Sequence, residues 1–262
     1  PPTSLFTLPV DDLDGVSGRY NSANLAKSAS SSRLYGSSDD DFYGVNNAGV
    51  AYAMLRLSYL DGATTWYWDP PAFTTAVSSE AAWQPVSVSY VGPAWSWIYL
   101  QDVAWPAGDR EYKAEVRSMD ASLPATGSGD GNWEDPQSRG ANVRYFFIDD
   151  TPPSVLITTP TEYAVRHLPG VGGTASADIA GFRRAELRIS TGTGGAERWW
   201  NDATGLWQPT PKWITATTRL GNTSWYYTID PAMLRDDAAY TMVARALDYA
   251  GNYSSVYSTY TV

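Results

Sequence analysis

The chain has 262 residues, a length that suits two domains of ordinary size, and carries a formal net charge of -10. It holds no cysteine and a single histidine, His167, which excludes disulfides, thiolate metal sites and nearly all histidine-based metal clusters or acid–base relays. The acidic balance argues against a nucleic-acid partner, and no apolar run approaches the roughly 20 residues of a membrane helix, so neither nucleic acid nor membrane contact is expected of this segment.

The chain starts at Pro1 without a charged and apolar leader and reads as a processed or excised piece. The run Pro1-Pro2-Thr3-Ser4-Leu5 opens the first predicted strand, and residues 12–34 follow as a Ser/Asn-rich extension. Asp39-Asp40-Asp41 is a carboxylate run that could serve general acid and base chemistry in glycoside cleavage, or be a solvated loop. A clear strand comes next: Ala53, Leu55, Leu57 and Tyr59 alternate toward a core while Met54, Arg56 and Ser58 face outward.

Trp66-Tyr67-Trp68 cannot all point into one core, because strand side chains alternate between faces. Exposed rings at Trp66 and Trp68 beside Asp69, with Trp199 and Trp200 beside Asn201 in the second half, would form carbohydrate-binding platforms. The alternative packs these rings as an outer mini-core under Trp83-Gln84-Pro85 and Trp207-Gln208-Pro209. Residues 96–100 and 112–119 complete the apolar strands before residues 121–142, a long Gly/Asp-rich loop. Within that loop Asp130, Asn132, Glu134 and Asp135 offer oxygen ligands at calcium-like spacing, and Asp149 with Asp150 at the mid-chain joint forms a second candidate group. Ordinary turn chemistry accounts for the same residues. No cofactor is required by the sequence, and calcium is the one ion it suggests.

The second half repeats the first. Pro152-Pro153-Ser154-Val155-Leu156 answers the opening run, Ala185-Glu186-Leu187-Arg188-Ile189-Ser190 answers residues 53–58, and Trp83-Gln84-Pro85 aligns with Trp207-Gln208-Pro209. One constant offset then carries Trp97 to Trp225, Tyr99 to Tyr227, Asp109 to Asp237, Tyr112 to Tyr240, Arg117 to Arg245 and Asp120 to Asp248. The boundary falls at Asp149-Asp150-Thr151-Pro152-Pro153, where prolines interrupt two apolar strands and make a short, stiff linker.

Asp109 and Asp237 each precede, by one turn, a tyrosine that opens a strand, which resembles the tyrosine corner of immunoglobulin-like sandwiches with Tyr112 and Tyr240 as the corner residues. Asp248-Tyr249-Ala250-Gly251-Asn252, Gly173-Thr174-Ala175 and Asp150-Thr151-Pro152-Pro153 are similar to the immunoglobulin-like (fibronectin III-like) repeats of large bacterial surface or secreted proteins. The resemblance covers residues 152–262. It implies an all-β chain of two tandem immunoglobulin-like β-sandwich domains: 1–150, decorated by long loops in place of the tight Asp-Tyr-Ala-Gly-Asn hairpin, and 151–262, compact. It also implies an extracellular or cell-surface setting and a non-catalytic structural or adhesive module, a stalk, spacer or filament subunit. Partners would be neighbouring repeats of the same protein or assembly, or a surface glycan or protein. Accessory carbohydrate binding for a secreted polysaccharide-active enzyme is the alternative, and a carboxylate hydrolase in the first half a third reading.

Overall fold

The computed structural model describes residues 2–25, 34–40, 49–91, 94–121, 131–134, 138–176, 179–218, 223–255 and 257–262. The chain divides into two compact units, Pro1–Asp150 and Thr151–Val262.

The first unit contains β1 (Thr3–Leu8), β2 (Arg19–Tyr20), a one-turn helix α1 (Ser22–Leu25), β3 (Tyr35–Asp39), β4 (Val50–Asp61), β5 (Thr64–Asp69) and β6 (Ala72–Thr74). It continues with β7 (Gln84–Pro85), β8 (Ser87–Val91), β9 (Ala94–Ile98), β10 (Arg110–Asp120) and β11 (Val143–Ile148). One sheet runs β1-β3-β9-β8. The other runs β2-β11-β10-β4-β5-β6, with β7 pairing on β4.

The second unit contains β12 (Val155–Thr159), β13 (Gly170–Ala175), β14 (Phe182–Thr191), β15 (Arg198–Asn201) and β16 (Leu206–Gln208). Then come β17 (Ile214–Thr215), β18 (Thr217–Thr218), β19 (Ser224–Thr228), β20 (Tyr240–Asp248) and β21 (Ser258–Thr261). Its sheets run β12-β13-β19-β18 and β16-β15-β14-β20-β21, with β17 on β14. In both units the first, second, fifth and fourth principal strands share one sheet, and the third, sixth and seventh share the other, which is widened by β2, β5, β6 and β7 in the first unit and by β15, β16 and β17 in the second. That is the order of an immunoglobulin-like sandwich.

Alternation explains the cores. Leu55 and Leu57 of β4 and Ala114 and Val116 of β10 are fully buried, as are Leu187 and Ile189 of β14 and Ala244 and Ala246 of β20. The indoles of Trp97 and Trp225 lie over the neighbouring strand of their own sheet and donate to the carbonyls of Ser37 and Thr174. Glycine faces each ring: a Cβ at Gly36 would sit 2.7 Å from Trp97, and at Gly173 2.8 Å from Trp225. The backbone carbonyl of the strand on the other side is closer still, that of Leu5 to the Gly36 Cβ position and that of Leu156 to the Gly173 one, so ring and backbone together require glycine there.

The structure corrects two readings of the repeat. Pairing of Gln84 with Leu55 and of Ile214 with Leu187 makes Trp213, and not Trp207, the counterpart of Trp83. Trp207 stands opposite Trp200 as Phe73 stands opposite Trp68. The first domain also keeps the hairpin it was expected to lose. Asp120 accepts from the backbone N–H and side-chain amide of Asn132, at 2.8 and 2.9 Å. Asp248 accepts from Gly251, Asn252 and the Asn252 amide in the same manner. Residues 122–130 are an insertion between an acid and the Gly-Asn pair it holds.

The two corner tyrosines differ. The Tyr240 hydroxyl accepts from the Arg235 backbone N–H at 2.7 Å, while Asp237 adopts a left-handed φ of 57° in the intervening turn. The Tyr112 hydroxyl is buried with no hydrogen-bond partner among the described residues. Here the preceding segment brings the Trp105 ring edge-on against Tyr112 at 4.9 Å, and Asp109 instead accepts from the Asp150 backbone N–H at 3.0 Å. Tyr112 is thus an aromatic core residue, packed among Tyr59, Phe73 and Phe146. Replacing Tyr240 with Phe is expected to destabilise its domain by about 0.5–1.5 kcal/mol, whereas Tyr112→Phe is neutral or stabilising because it removes a buried, unpaired hydroxyl. Denaturant unfolding of both variants checks this, and equal losses at the two sites would contradict it.

Candidate functional site

The outer face of each long strand pair carries the same device. In the first domain the Arg117 guanidinium lies between the rings of Trp83 and Trp133, at 4.3 and 4.7 Å, and Arg56 covers Trp83 at 4.4 Å. In the second, Arg245 lies between Trp213 and Tyr253, both at 4.1 Å, and Arg188 reaches Trp213 at 5.0 Å. A buried glutamate anchors each stack. Glu115, from β10, meets Arg56 at 2.8 Å and Lys113 at 2.7 Å; Glu186, from β14, meets Arg184 at 2.7 Å and Arg245 at 2.6 Å. Burial alone would raise both carboxyls, but hydrogen bonds from their cationic partners outweigh it and hold them below the ordinary glutamate range.

The residues expected to bind carbohydrate are divided between faces. Trp66 and Trp68 both turn inward. Trp68 is 1% exposed and donates to the Tyr99 hydroxyl at 2.7 Å, and Trp66 stacks on Tyr59, so burial removes Trp68 from any platform. Asp69 follows Tyr67 on the outer face by strand parity. In the second domain Trp200 packs against the core beside Trp207, and Trp199 pairs with Ser190 on the outer side. The Asn201 side chain bonds Gln208 at 2.7 Å and the Ala203 backbone N–H at 3.1 Å, serving its own turn.

Of the residues expected to ligate calcium, Asp130 and Asp135 lie outside the described residues. Asn132 is held by Asp120. Glu134 accepts from Ser4 N–H at 2.8 Å, Ser118 N–H at 3.1 Å and the Asn142 amide at 2.9 Å, tying three parts of the sandwich together. Asp149 is buried, and Asp150 accepts from the Ser22 N–H at 2.7 Å. Among the described residues no three carboxylate or imidazole side chains converge. In the carboxylate run, Asp39 ends β3, Asp40 is buried and Asp41 lies outside the described residues.

A pocket missed by sequence reasoning opens on the outer face of the first domain. Register aligns Tyr145 of β11, Lys113 of β10, Ser58 of β4 and Tyr67 of β5 in one row. Ser58 is a recessed floor, 5% exposed, and Tyr67 and Tyr145 form opposite walls of a cavity of about 350 Å³ also lined by Glu111 and Leu60. Burial pushes the Glu111 carboxyl up. The Tyr145 wall is braced from behind: Arg139 stacks on its ring at 4.7 Å and pairs with Asp11 at 2.9 Å, and Asp11 also accepts from the Tyr145 N–H at 3.1 Å. The corresponding row of the second domain reads Thr261, Thr241, Ser190 and Trp199, with only one aromatic wall.

No protein-family model and no curated protein matches the sequence. Among solved structures the chain is similar to a tetra-tandem repeat in the extending region of a large adhesion protein, at 14% identity and a TM-score of 0.31, covering 100% of this chain and 50% of that one. It is also similar to the FN1-FN3 domains of chicken CNTN1, at 11% identity and a TM-score of 0.35, covering 87% of this chain and 58% of that one. The chain therefore spans less than two thirds of either structure. Assignment of the fold rests on its strand order.

The depressed Glu186 carboxyl has a pH signature. A folded-state pKa below the unfolded one gives stability that is present above the ordinary glutamate range and lost as pH falls through the folded value. Glu186→Gln is expected to be less stable than the parent at pH 7, with the gap shrinking at acid pH. Thermal melts across that range test this, and a gap independent of pH would contradict it.

Proposed function

We propose that the chain is a non-catalytic structural and adhesive module of an extracellular or cell-surface protein, one or two units of a rod that joins neighbouring repeats. The observation that carries this reading is the way the first domain ties its two ends together. β2 runs parallel to β11, the last strand of the domain. Backbone bonds Asp12 N–H to Tyr145 O, Phe147 N–H to Gly18 O and Asp149 N–H to Tyr20 O, each 2.8 Å, lie between the two segments. Tension applied at the ends of that domain loads these bonds in shear, so several must break together. Glu115 and Glu186 are engaged in ion pairs, Asp120 and Asp248 in hairpins, and Glu134 with three N–H donors.

A second reading, a carbohydrate-binding accessory module, is favoured by the two-walled tyrosine pocket on the first domain.

Single-molecule extension by the two termini tests the mechanical reading. Two unfolding events are expected, with length gains of about 50 nm for the first domain and about 40 nm for the second at roughly 3.5 Å per residue. The larger event should need the greater force, because the second domain has only antiparallel pairings among its described strands. A single event for the whole chain, or release of the larger domain at the lower force, would contradict it.

A further inference from the structure

We infer that the outer-face pocket of the first domain binds a neutral saccharide, with one pyranose ring held between Tyr67 and Tyr145. This inference rests on the adhesive reading above and names the ligand class.

The geometry selects a flat, amphipathic ligand. Tyr67 and Tyr145 stand on strands separated by two others, so their backbones are about 14 Å apart at the usual interstrand spacing. Both side chains line, with Ser58, the smallest residue of the row, an open cavity of about 350 Å³, at the small end of ligand pockets. Tyrosine rings offer apolar faces to the C–H surface of a pyranose, and their hydroxyls offer polar tips.

Charge balance selects neutrality. The groups facing the pocket are Arg56 and Lys113 on one side of the ledger and Glu111 and Glu115 on the other, so no net charge favours an anion or a cation. Glu115 is already neutralised by Arg56 and Lys113, while Glu111 has no ion-pair partner within contact distance among the described residues. Glu111 and Lys113 are thus placed to accept from and donate to sugar hydroxyls, together with Thr65 at the rim. A purely apolar ligand would leave these groups desolvated without partners.

The pocket is also built, and among the described residues its row of two tyrosines occurs in the first domain alone. Its Tyr145 wall is fixed by Arg139 and Asp11, and Asp11 belongs to the segment laid along β11 by the parallel pairing of β2. The second domain has Thr261 at the wall position, and among its described strands every pairing is antiparallel, with no parallel segment laid along β21. In its own aromatic depression beside Trp200, Trp207 and Tyr227, the Trp207 indole donates to Met233 O and Asp230 accepts from Ala232 N–H.

Titration calorimetry of the whole chain against neutral oligosaccharides of glucose, mannose, galactose, xylose and N-acetylglucosamine, with uronate oligosaccharides as the charged comparison, tests the inference. At least one neutral series should bind and the uronates should bind no better. Tyr67→Ala and Tyr145→Ala should each weaken binding by about tenfold or more, as expected for loss of one packed aromatic contact. Tyr67→Phe, which keeps the ring, should stay within a few-fold of the parent, about the value of one hydrogen bond at most. Trp199→Ala in the second domain should bind as the parent does. Absence of binding to every neutral series, binding confined to uronates, or loss on Trp199→Ala in place of Tyr67→Ala would overturn it. The extension measurement involves no ligand, so failure here leaves the mechanical reading to stand or fall by itself.

Discussion

Each domain depends on one long antiparallel strand pair, β4 with β10 and β14 with β20, and on a guanidinium clamped between aromatic rings across the outer side of that pair. The inner side needs little explanation: alternating apolar residues are withdrawn from water, and the hydrophobic effect supplies the drive. The outer side must stay polar enough for water yet ordered enough to hold β7 or β17 and the final hairpin against it. Arg117 and Arg245 satisfy both demands, because a planar cation retains edge solvation while its faces contact indole or phenol. Trp83 and Trp213 immediately precede the short strands β7 and β17, and Trp133 and Tyr253 come from the closing hairpin, so one side chain joins three separate chain segments in each domain.

Much of this was legible in the sequence because it rests on local periodicity. Ala53, Leu55, Leu57 and Tyr59 announce their inward face, and the shared spacing from Trp97 to Asp120 and from Trp225 to Asp248 announces the duplication. Other features depend on register, which no local pattern discloses. The identity of Trp83-Gln84-Pro85 with Trp207-Gln208-Pro209 drew the alignment to a wrong pairing, since Trp213 is followed by Ile214 and Thr215. The Gly131-Asn132 pair was hidden by the preceding insertion, although its bonds to Asp120 repeat those of Asp248.

The candidate site illustrates the same limit. Tryptophan drew attention to Trp66 and Trp68, yet strand parity placed both toward the core and left Tyr67 outside. Aromatic size does not determine which parity a strand adopts; the partner strand does, and Ser58 opposite Tyr67 is what puts that residue on the outer face. No sequence pattern singles out Tyr145. Its role follows from Asp11, which is far away in sequence and reaches it through the parallel pairing of β2. Differences between the two copies therefore concentrate where a decorating segment touches a common framework, consistent with function carried by additions to a fixed scaffold.

A double-mutant cycle on the two stacks tests the central claim most directly. Arg245→Met and Trp213→Leu, singly and together, and the corresponding pair Arg117→Met and Trp83→Leu, would be compared by denaturant unfolding of the whole chain. The account predicts a favourable coupling of about 0.5–2 kcal/mol for each pair, the range of partly desolvated cation–aromatic contacts. Strictly additive losses in both domains would contradict it, showing that the rings and guanidinium groups merely share a surface.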